Sequence, residues 1–530
     1  MTELVYFKDT TLVEPLFNQW YAWPYLIPPA SAAMFVANSH LKIMESFISA
    51  PKVHIAALRD PAMLGGPFIN YDAGKVGQIR ALADETIAEN ADLLEFAAAV
   101  KVLDDKLAAE ATGYSLEALY QEIPAALRGY VELVYDLRNR ASVRFVEGLL
   151  YKSRYYRPER QSIVLSNSDS DGRPFVFSTP RLKSDGQMHV SLSFSHEAID
   201  ELFRMEFQPQ PLAAIKEVMG LASKDYGLSE FFTREAPPKS AAYNDEAIRI
   251  RYFGHACLLV QTKAVSVLCD PVISRKKSDG QDRYTYADLP EVIDYVLLTH
   301  THQDHVMFES LLRLRHKIKN VIVPKSSGGD RMDPSLKLLL QTLGFTNVYD
   351  LDELESIEVA GGSITGLPFF GEHADLNIRT KLGYRIELDR KSILLLADSN
   401  NIEPHLYRHL REVVGTADFI FLGMECDGAP MSWLYGPLLT TPLSRKNDQS
   451  RRFDGSTADK GMLIVDELRP SEVYVYAMGQ EPWCTFLTSL QYTNQSKPIV
   501  ESDELVARCQ ARGIIAERLF GQKELIVPAD

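Results

Sequence analysis

The stretch YVLLTHTHQDHVMF, Tyr295 to Phe308, sets a short apolar run directly against four metal-ligand side chains, His300, His302, Asp304 and His305. Such a run has the length of a buried strand, and Met307, Phe308, Leu311 and Leu312 resume at helical spacing. The pattern predicts a strand, a tight loop and a helix beginning immediately after it. Imidazoles two positions apart at a frayed strand end can turn toward one metal, while Asp304 and His305 in the first helical turn can face a second.

The same rhythm recurs through the second half of the chain. IRIRYFGHACLLV, SVLCDP, NVIVP, SITGLPFFGEH, YRIEL, SILLLADSN, DFIFLGMEC and EVYVYAMG read as short strands, several ending in polar ligand-type residues, with MFESLLRLRHKI and EPHLYRHLREVV as helices between them. Two sheets covered by helices, a layered α/β architecture, is the expected fold. At 530 residues the chain is long enough for a second domain. The segment TREAPPKSAAYNDEA, Thr233 to Ala247, reads as the seam between them. Residues 1–240 are expected to form a mixed α+β N-terminal domain for dimerisation or substrate access, with a helical pattern over Val76 to Ala111 and a strand over Met188 to Ser195. Residues 246–530 are expected to form the catalytic domain. Trp20 and Trp23 are read either as a subunit contact, which favours a homodimer, or as core.

Composition narrows the function. Pro15 to Leu41, the longest stretch without a formal charge, contains Pro24, Pro28 and Pro29 and cannot be one apolar helix, so no membrane span is expected. The N-terminus offers no export signal, and a cytoplasmic protein is the default. Five cysteines without C-x-x-C spacing encode neither a disulfide framework nor a cysteine-ligated cluster. A net charge of −15 argues against a nucleic-acid partner. No Gly-rich phosphate loop is present, so any redox work draws its electrons from an external donor.

The motif THTHQDH, with the upstream GHACLLV and VLCDPVIS and the downstream LLLADSN, resembles the metallo-β-lactamase superfamily over roughly residues 246 to 500. That resemblance implies an αββα sandwich with a dinuclear site, and Asp398 as the bridging ligand. Hydrolases of the superfamily add two further histidines, one before the bridging aspartate and one near the domain end. Here the last histidine is His409, and FFGEHADL offers both Glu372 and His373 at the intermediate position. With Glu372, three imidazoles and three carboxylates surround the metals, a set that suits iron meeting dioxygen better than zinc. Glutamate at that position, the missing terminal histidine and the long N-terminal extension are together similar to the di-iron β-hydroxylases of chloramphenicol biosynthesis. This resemblance implies two iron ions in an oxo- or hydroxo-bridged pair, dioxygen as cosubstrate, and a monooxygenase acting on the β-carbon of an aminoacyl thioester. The amino acid implied is L-p-aminophenylalanine on the carrier domain of a nonribosomal peptide synthetase. The competing reading is a zinc-dependent hydrolase of a thioester, lactone or phosphodiester.

Glu425, after the apolar run DFIFLGM, is expected either as an acid beside the metals or as an ordinary loop charge. His255 reads as a core histidine or a donor to a site carboxylate. His316, His405 and His409 lie in charged helical settings and are expected in solvent. Two basic clusters, Arg313 to Lys319 and Arg445 to Arg452, are read as solvated surface or as docking sites for an acidic carrier; the second, with Arg451 and Arg452, is expected at the cleft mouth.

Overall fold

The structure, a computed structural model, describes residues 3–168, 170–221, 227–276 and 282–528. Its second half is built on two seven-stranded sheets. The first runs, edge to edge, Val348–Leu351, Ile318–Pro324, Ile293–Leu297, Ser266–Cys269, Leu258–Gln261, Ile248–Tyr252 and Lys523–Val527. The second runs Ser356–Val359, Gly362–Leu367, Gly383–Leu388, Lys391–Leu395, Phe419–Gly423, Glu472–Tyr476 and Ile515–Arg518.

Strand alternation decides how the layers pack. In Phe419–Gly423, Phe419 and Phe421 enter the core between the sheets, while Ile420 and Leu422 face the other way, against the helices His405–Val414, Ala458–Leu468 and Lys497–Gln510. Tyr474 and Tyr476 against Val473 and Val475 repeat the division. In the first sheet Leu297 faces the partner sheet, and Val296 and Leu298 face outward onto a core shared with the N-terminal part of the chain.

That N-terminal part contains a four-stranded antiparallel sheet ordered Trp20–Tyr21, Thr11–Phe17, Gln161–Asn167, Gln187–Val190, with helices packed beside it. The helical pattern expected over Val76 to Ala111 is divided into Val76–Glu89 and Ala91–Glu110. Asn90 leaves the helical conformation between them, and its buried amide donates to the Thr86 carbonyl (2.9 Å) and Asn18 Oδ1 (3.2 Å). The strand expected over Met188 to Ser195 ends at Val190, although Leu192 and Phe194 are buried as the alternation requires. Trp20 and Trp23 are both core residues, and Trp20 stacks on His40 at 4.0 Å. The sequence argument for a homodimer through these rings therefore loses its support. Thr233 closes a short strand, and no helix or strand follows until Ile248. All five cysteines are free and buried, and among the described residues no helix is long and apolar enough to cross a membrane.

The helix Phe308–Leu314, which follows the ligand loop, is buried along its whole length. Glu309 accepts from Arg173 (2.7 Å) and Tyr21 (3.2 Å), while Arg173 and Arg181 both reach Glu14 on the strand Thr11–Phe17. Arg313 pairs with Glu206 at 2.7 Å, and Arg315 with Asp200 at 2.9 Å. The cluster Arg313 to Lys319 is thus not a solvated face: Arg313 and Arg315 are buried in contact with the N-terminal part, and His316 is only partly exposed. His405 and His409 are exposed as expected.

Candidate metal centre

The ligand-type side chains lie where parallel strands of both sheets end, the position at which open α/β sheets present their reactive groups. Asp270 follows Ser266–Cys269, Thr299 and His300 follow Ile293–Leu297, Asp398 follows Lys391–Leu395, and Glu425 follows Phe419–Gly423. His255, Asp270, Glu372, Ala374, Asp375 and Ala397 all hold positive φ, a concentration of strained backbone that only an over-determined site sustains.

Three groups of donors converge: His300 with His302 and Glu372; His300 with His305 and Asp398; and His255 with Asp304 and His305. Glu372 Oε1 lies 2.6 Å from His302 Nδ1, and its Oε2 lies 3.9 Å from His300 Nε2. Asp398 Oδ2 stands between the groups, 3.1 Å from His305 Nε2 and 3.8 Å from His300 Nε2. All six residues singled out in the sequence meet in this space. Glu372 joins a donor group, whereas His373 turns Nδ1 to the Tyr435 hydroxyl at 3.0 Å.

Neighbouring hydrogen bonds fix which ring nitrogens keep lone pairs. Asp270 accepts from the Thr299 amide (2.8 Å) and hydroxyl (2.6 Å) and from His305 Nδ1 (2.8 Å). With its proton committed to Asp270, Thr299 Oγ1 accepts from His300 Nδ1 at 3.0 Å. His300 therefore aims an unprotonated Nε2 inward, while His305, which burial would lower but Asp398 and Asp270 raise well above the usual histidine range, turns Nε2 to Asp398 at 3.1 Å, where a bound cation would displace the proton. His302 faces Tyr435 through Nε2 at 3.1 Å and offers Nδ1 to the site. His255 Nδ1 accepts the Gly479 N–H at 3.1 Å, so its proton sits on Nε2, 3.4 Å from Asp304 Oδ2. That tautomer directs the His255 N–H toward the Asp304 carboxylate, which accords with the second of the two roles its sequence setting allowed. Tyr435 and Asp270 were not found from the sequence; SVLCDP held the only signal for the latter.

Electrostatics show what the pocket lacks. Burial, and then the surrounding imidazoles, keep His300 well below the usual histidine range, hence neutral. Burial pushes Glu372 up to about 7; His302 opposes this shift and Asp398 adds to it. Burial also raises Glu425 well above the usual carboxylate range, reinforced by Asp398, Asp304 and Glu372. His300 Nε2, Glu372 Oε2 and Asp398 Oδ1 are buried without a hydrogen-bond partner. Each such atom costs about 1 to 3 kcal/mol, and a cation among them satisfies all three at once. The residues present fit a metal pair.

A cleft of about 440 Å³ opens over these donors, bordered by Ala62 to Phe68 of the N-terminal part and by Glu425, Trp433, Arg452 and Phe453. Of the second basic cluster, Arg452 borders this cleft and lies 3.5 Å from Asp427, whereas Arg451 is engaged internally, donating to the Ala374 carbonyl at 2.8 Å beside the Glu372 loop.

Comparison with known proteins agrees with this geometry. Residues 6–237 match the family described as the diiron non-heme beta-hydroxylase N-terminal domain, and residues 266–433 match the beta-lactamase superfamily domain. The chain is 40% identical, over 98% of its length and 99% of the relative's, to the 4-amino-L-phenylalanyl-[CmlP-peptidyl-carrier-protein] 3-hydroxylase of Streptomyces venezuelae. Its fold superposes on the crystal structure of CmlA, a diiron beta-hydroxylase from that organism, with a TM-score of 0.92 at 39% identity, covering 99% of this chain and 100% of the other. A glutamate-to-aspartate mutant of CmlA gives 0.90 at 39% identity, covering 98% and 99%. The chain belongs to the diiron non-heme β-hydroxylases, an enzyme family that joins an N-terminal domain of its own to a metallo-β-lactamase fold.

Proposed function

We propose that His300, His302 and Glu372 hold one iron, Asp304 and His305 a second, and Asp398 both, and that the enzyme uses them to hydroxylate the β-carbon of an arylalanyl thioester. By its similarity to the Streptomyces hydroxylase, the substrate is L-p-aminophenylalanine on the carrier domain of a nonribosomal peptide synthetase. The observation that carries the reading is Glu372, set against His300 and His302 where a hydrolase of this fold adds a histidine. Bound iron supplies the reduction of dioxygen: one oxygen atom enters the C–H bond and the other leaves as water, with two protons and two electrons from an external reductase.

The chain's own residues set the conditions for this chemistry. Thr299 and Asp270 hold the His300 and His305 rings through their Nδ1 atoms, so that each Nε2 would face a bound metal, Tyr435 fixes the His302 ring, and the His255 N–H faces Asp304. Phe68, Trp433 and Phe453 give the cleft aromatic walls suited to an aryl side chain. Glu425, half-buried at the cleft wall and with its pKa raised by burial and the neighbouring carboxylates, is assigned the delivery of a proton to the oxygen that leaves as water; bound cations would oppose that shift. Residues 1–240 serve as the domain that closes the substrate cleft, and residues 246–530 as the catalytic domain.

Reduced, iron-loaded protein given p-aminophenylalanyl-carrier and ¹⁸O₂ should add one labelled oxygen atom to the amino acid, read by mass spectrometry. Thioester cleavage without oxygen, or label arriving from water, would instead establish the zinc hydrolase reading.

A further inference from the structure

Beside the metal cleft, a groove of adjoining chambers follows the seam between the two halves of the chain. Gly65 to Phe68, Pro430 and Trp433 border both the cleft and a second chamber of about 620 Å³. Asn38, Lys42, Ser432, Gly436 and Asp448 border both that chamber and a third of about 720 Å³. The three spaces share walls in sequence and, with a Trp433 Nε1–Gly65 O hydrogen bond (2.9 Å) linking two of the walls that the first two share, form a row of adjoining chambers. Its middle is apolar and aromatic, with Ile43, Phe175, Phe177 and Trp433. The outer chamber has apolar walls too, among them Leu41, Leu94 and Leu439, but its rim differs.

Lys42, Lys101 and Arg445 stand at this rim, all exposed. Lys42 reaches only the Asn38 amide oxygen at 3.4 Å, and none of the three has a carboxylate partner among the described residues. Asp448, the acid in the chamber's lining, accepts from the Ser432 amide (2.9 Å) and hydroxyl (2.7 Å). In a chain of net charge −15, three unpaired cations gathered from two N-terminal helices and the segment after Ser444 form a local field of the opposite sign.

We propose that this groove seats the phosphopantetheine arm of the carrier, its aminoacyl end at the metal cleft, its chain along the apolar middle, and its phosphate with the acidic carrier face at Lys42, Lys101 and Arg445. The inference rests on the functional reading above and goes beyond it by assigning the docking surface. It moves that surface away from Arg451, which the Ala374 carbonyl already engages. An arm half apolar and half amide, with its phosphate at the far end, matches a path whose cations lie only at the outer end.

The test compares the wild type with the K42E/K101E/R445E variant, using p-aminophenylalanyl-loaded peptidyl carrier protein from the Streptomyces system as substrate. Charge reversal at exposed positions leaves the fold intact, which iron content and Tm check. The expected result is a KM raised about tenfold or more with kcat within twofold, and a wild-type KM that rises with salt while the variant's does not. Ala98→Trp, at an exposed position lining the outer chamber, should raise KM by obstruction without changing charge. If the wild type turns over the loaded carrier and both variants keep its KM, the groove assignment is overturned while the hydroxylase reading stands. If the wild type hydroxylates no loaded carrier, the functional reading itself fails.

Discussion

Gly371→Ala tests the geometry of the Glu372 loop. Gly371 has φ +78, and a Cβ there would run into Asn400 Cβ and stand 3.3 Å from Asn400 Cα. Asn400 cannot give way easily, since its amide donates to the Phe370 carbonyl (2.9 Å) and its Oδ1 accepts from Lys460 (2.6 Å). Left-handed backbone costs an L-residue about 1 to 2 kcal/mol, and overpacking costs about 1 to 3 kcal/mol more. The remaining relief is for Phe370 to Glu372 to shift as a unit, drawing the carboxylate away from His302. Taken up by that shift, about 2 to 5 kcal/mol weakens iron at the His300/His302 position roughly 30-fold to over 1,000-fold. Metal analysis after dialysis against a graded chelator should find about one iron per chain in the variant under conditions where the wild type keeps two. Gly415→Ala is the control, with similar φ (+80) but no atom within 4 Å, and should lower stability without changing iron content. Two irons of wild-type affinity in Gly371→Ala would refute the account of this loop.

Tyr435→Phe removes the partner of both His302 Nε2 and His373 Nδ1, and iron affinity measured by chelator competition should fall about 10- to 100-fold. Arg173→Met leaves Glu14 and Glu309 buried with less compensation and should cost about 3 to 5 kcal/mol, read as a lowered denaturant midpoint. Acid unfolding carries two opposite signatures. Burial alone would raise the Glu14 carboxyl, but Arg181 and Arg173 hold it below the usual range, so its contribution is present above about pH 4.3 and lost as pH falls below that value. Burial raises Glu147 to about 7, so the folded state binds the extra proton and stability falls as pH rises from about 4.3 to 7. Glu147→Gln should flatten that upper window in a stability-versus-pH series and leave the acid limb in place.

What the sequence could show followed from distance along the chain. His300, His302, Asp304 and His305 fall within six positions after a strand fixed by local periodicity, so their convergence was legible; the helix, however, begins only at Phe308, and Asp304 and His305 lie in a turn before it rather than in its first turn. Glu372 and His373 are neighbours on a loop, and spacing could not choose between them; what separates them is spatial, since Glu372 closes on His302 Nδ1 at 2.6 Å, while His373 turns Nδ1 to Tyr435, distant in sequence, and sets Nε2 3.1 Å from Glu372 Oε2. The cluster Arg313 to Lys319 misled because its partners, Asp200 and Glu206, lie in the other half of the chain. A run of charge looks solvated until the carboxylates that bury it are known. For the same reason the seam near residue 240 was visible as composition, while the core that joins the two halves across it was not. Tyr25 shows this as well: its hydroxyl lies 3.3 Å from Thr301, inside the ligand loop, and donates to the Met332 carbonyl at 2.8 Å.

The central claim is that a carboxylate takes the place of an imidazole beside His300 and His302. Anomalous diffraction at the iron edge from iron-loaded crystals measures it directly. Two peaks should appear, one within bonding distance of His300 Nε2, His302 Nδ1 and the Glu372 carboxylate, with Asp398 reaching both. A single peak, or a metal bound by His373 with Glu372 turned away, would contradict the account.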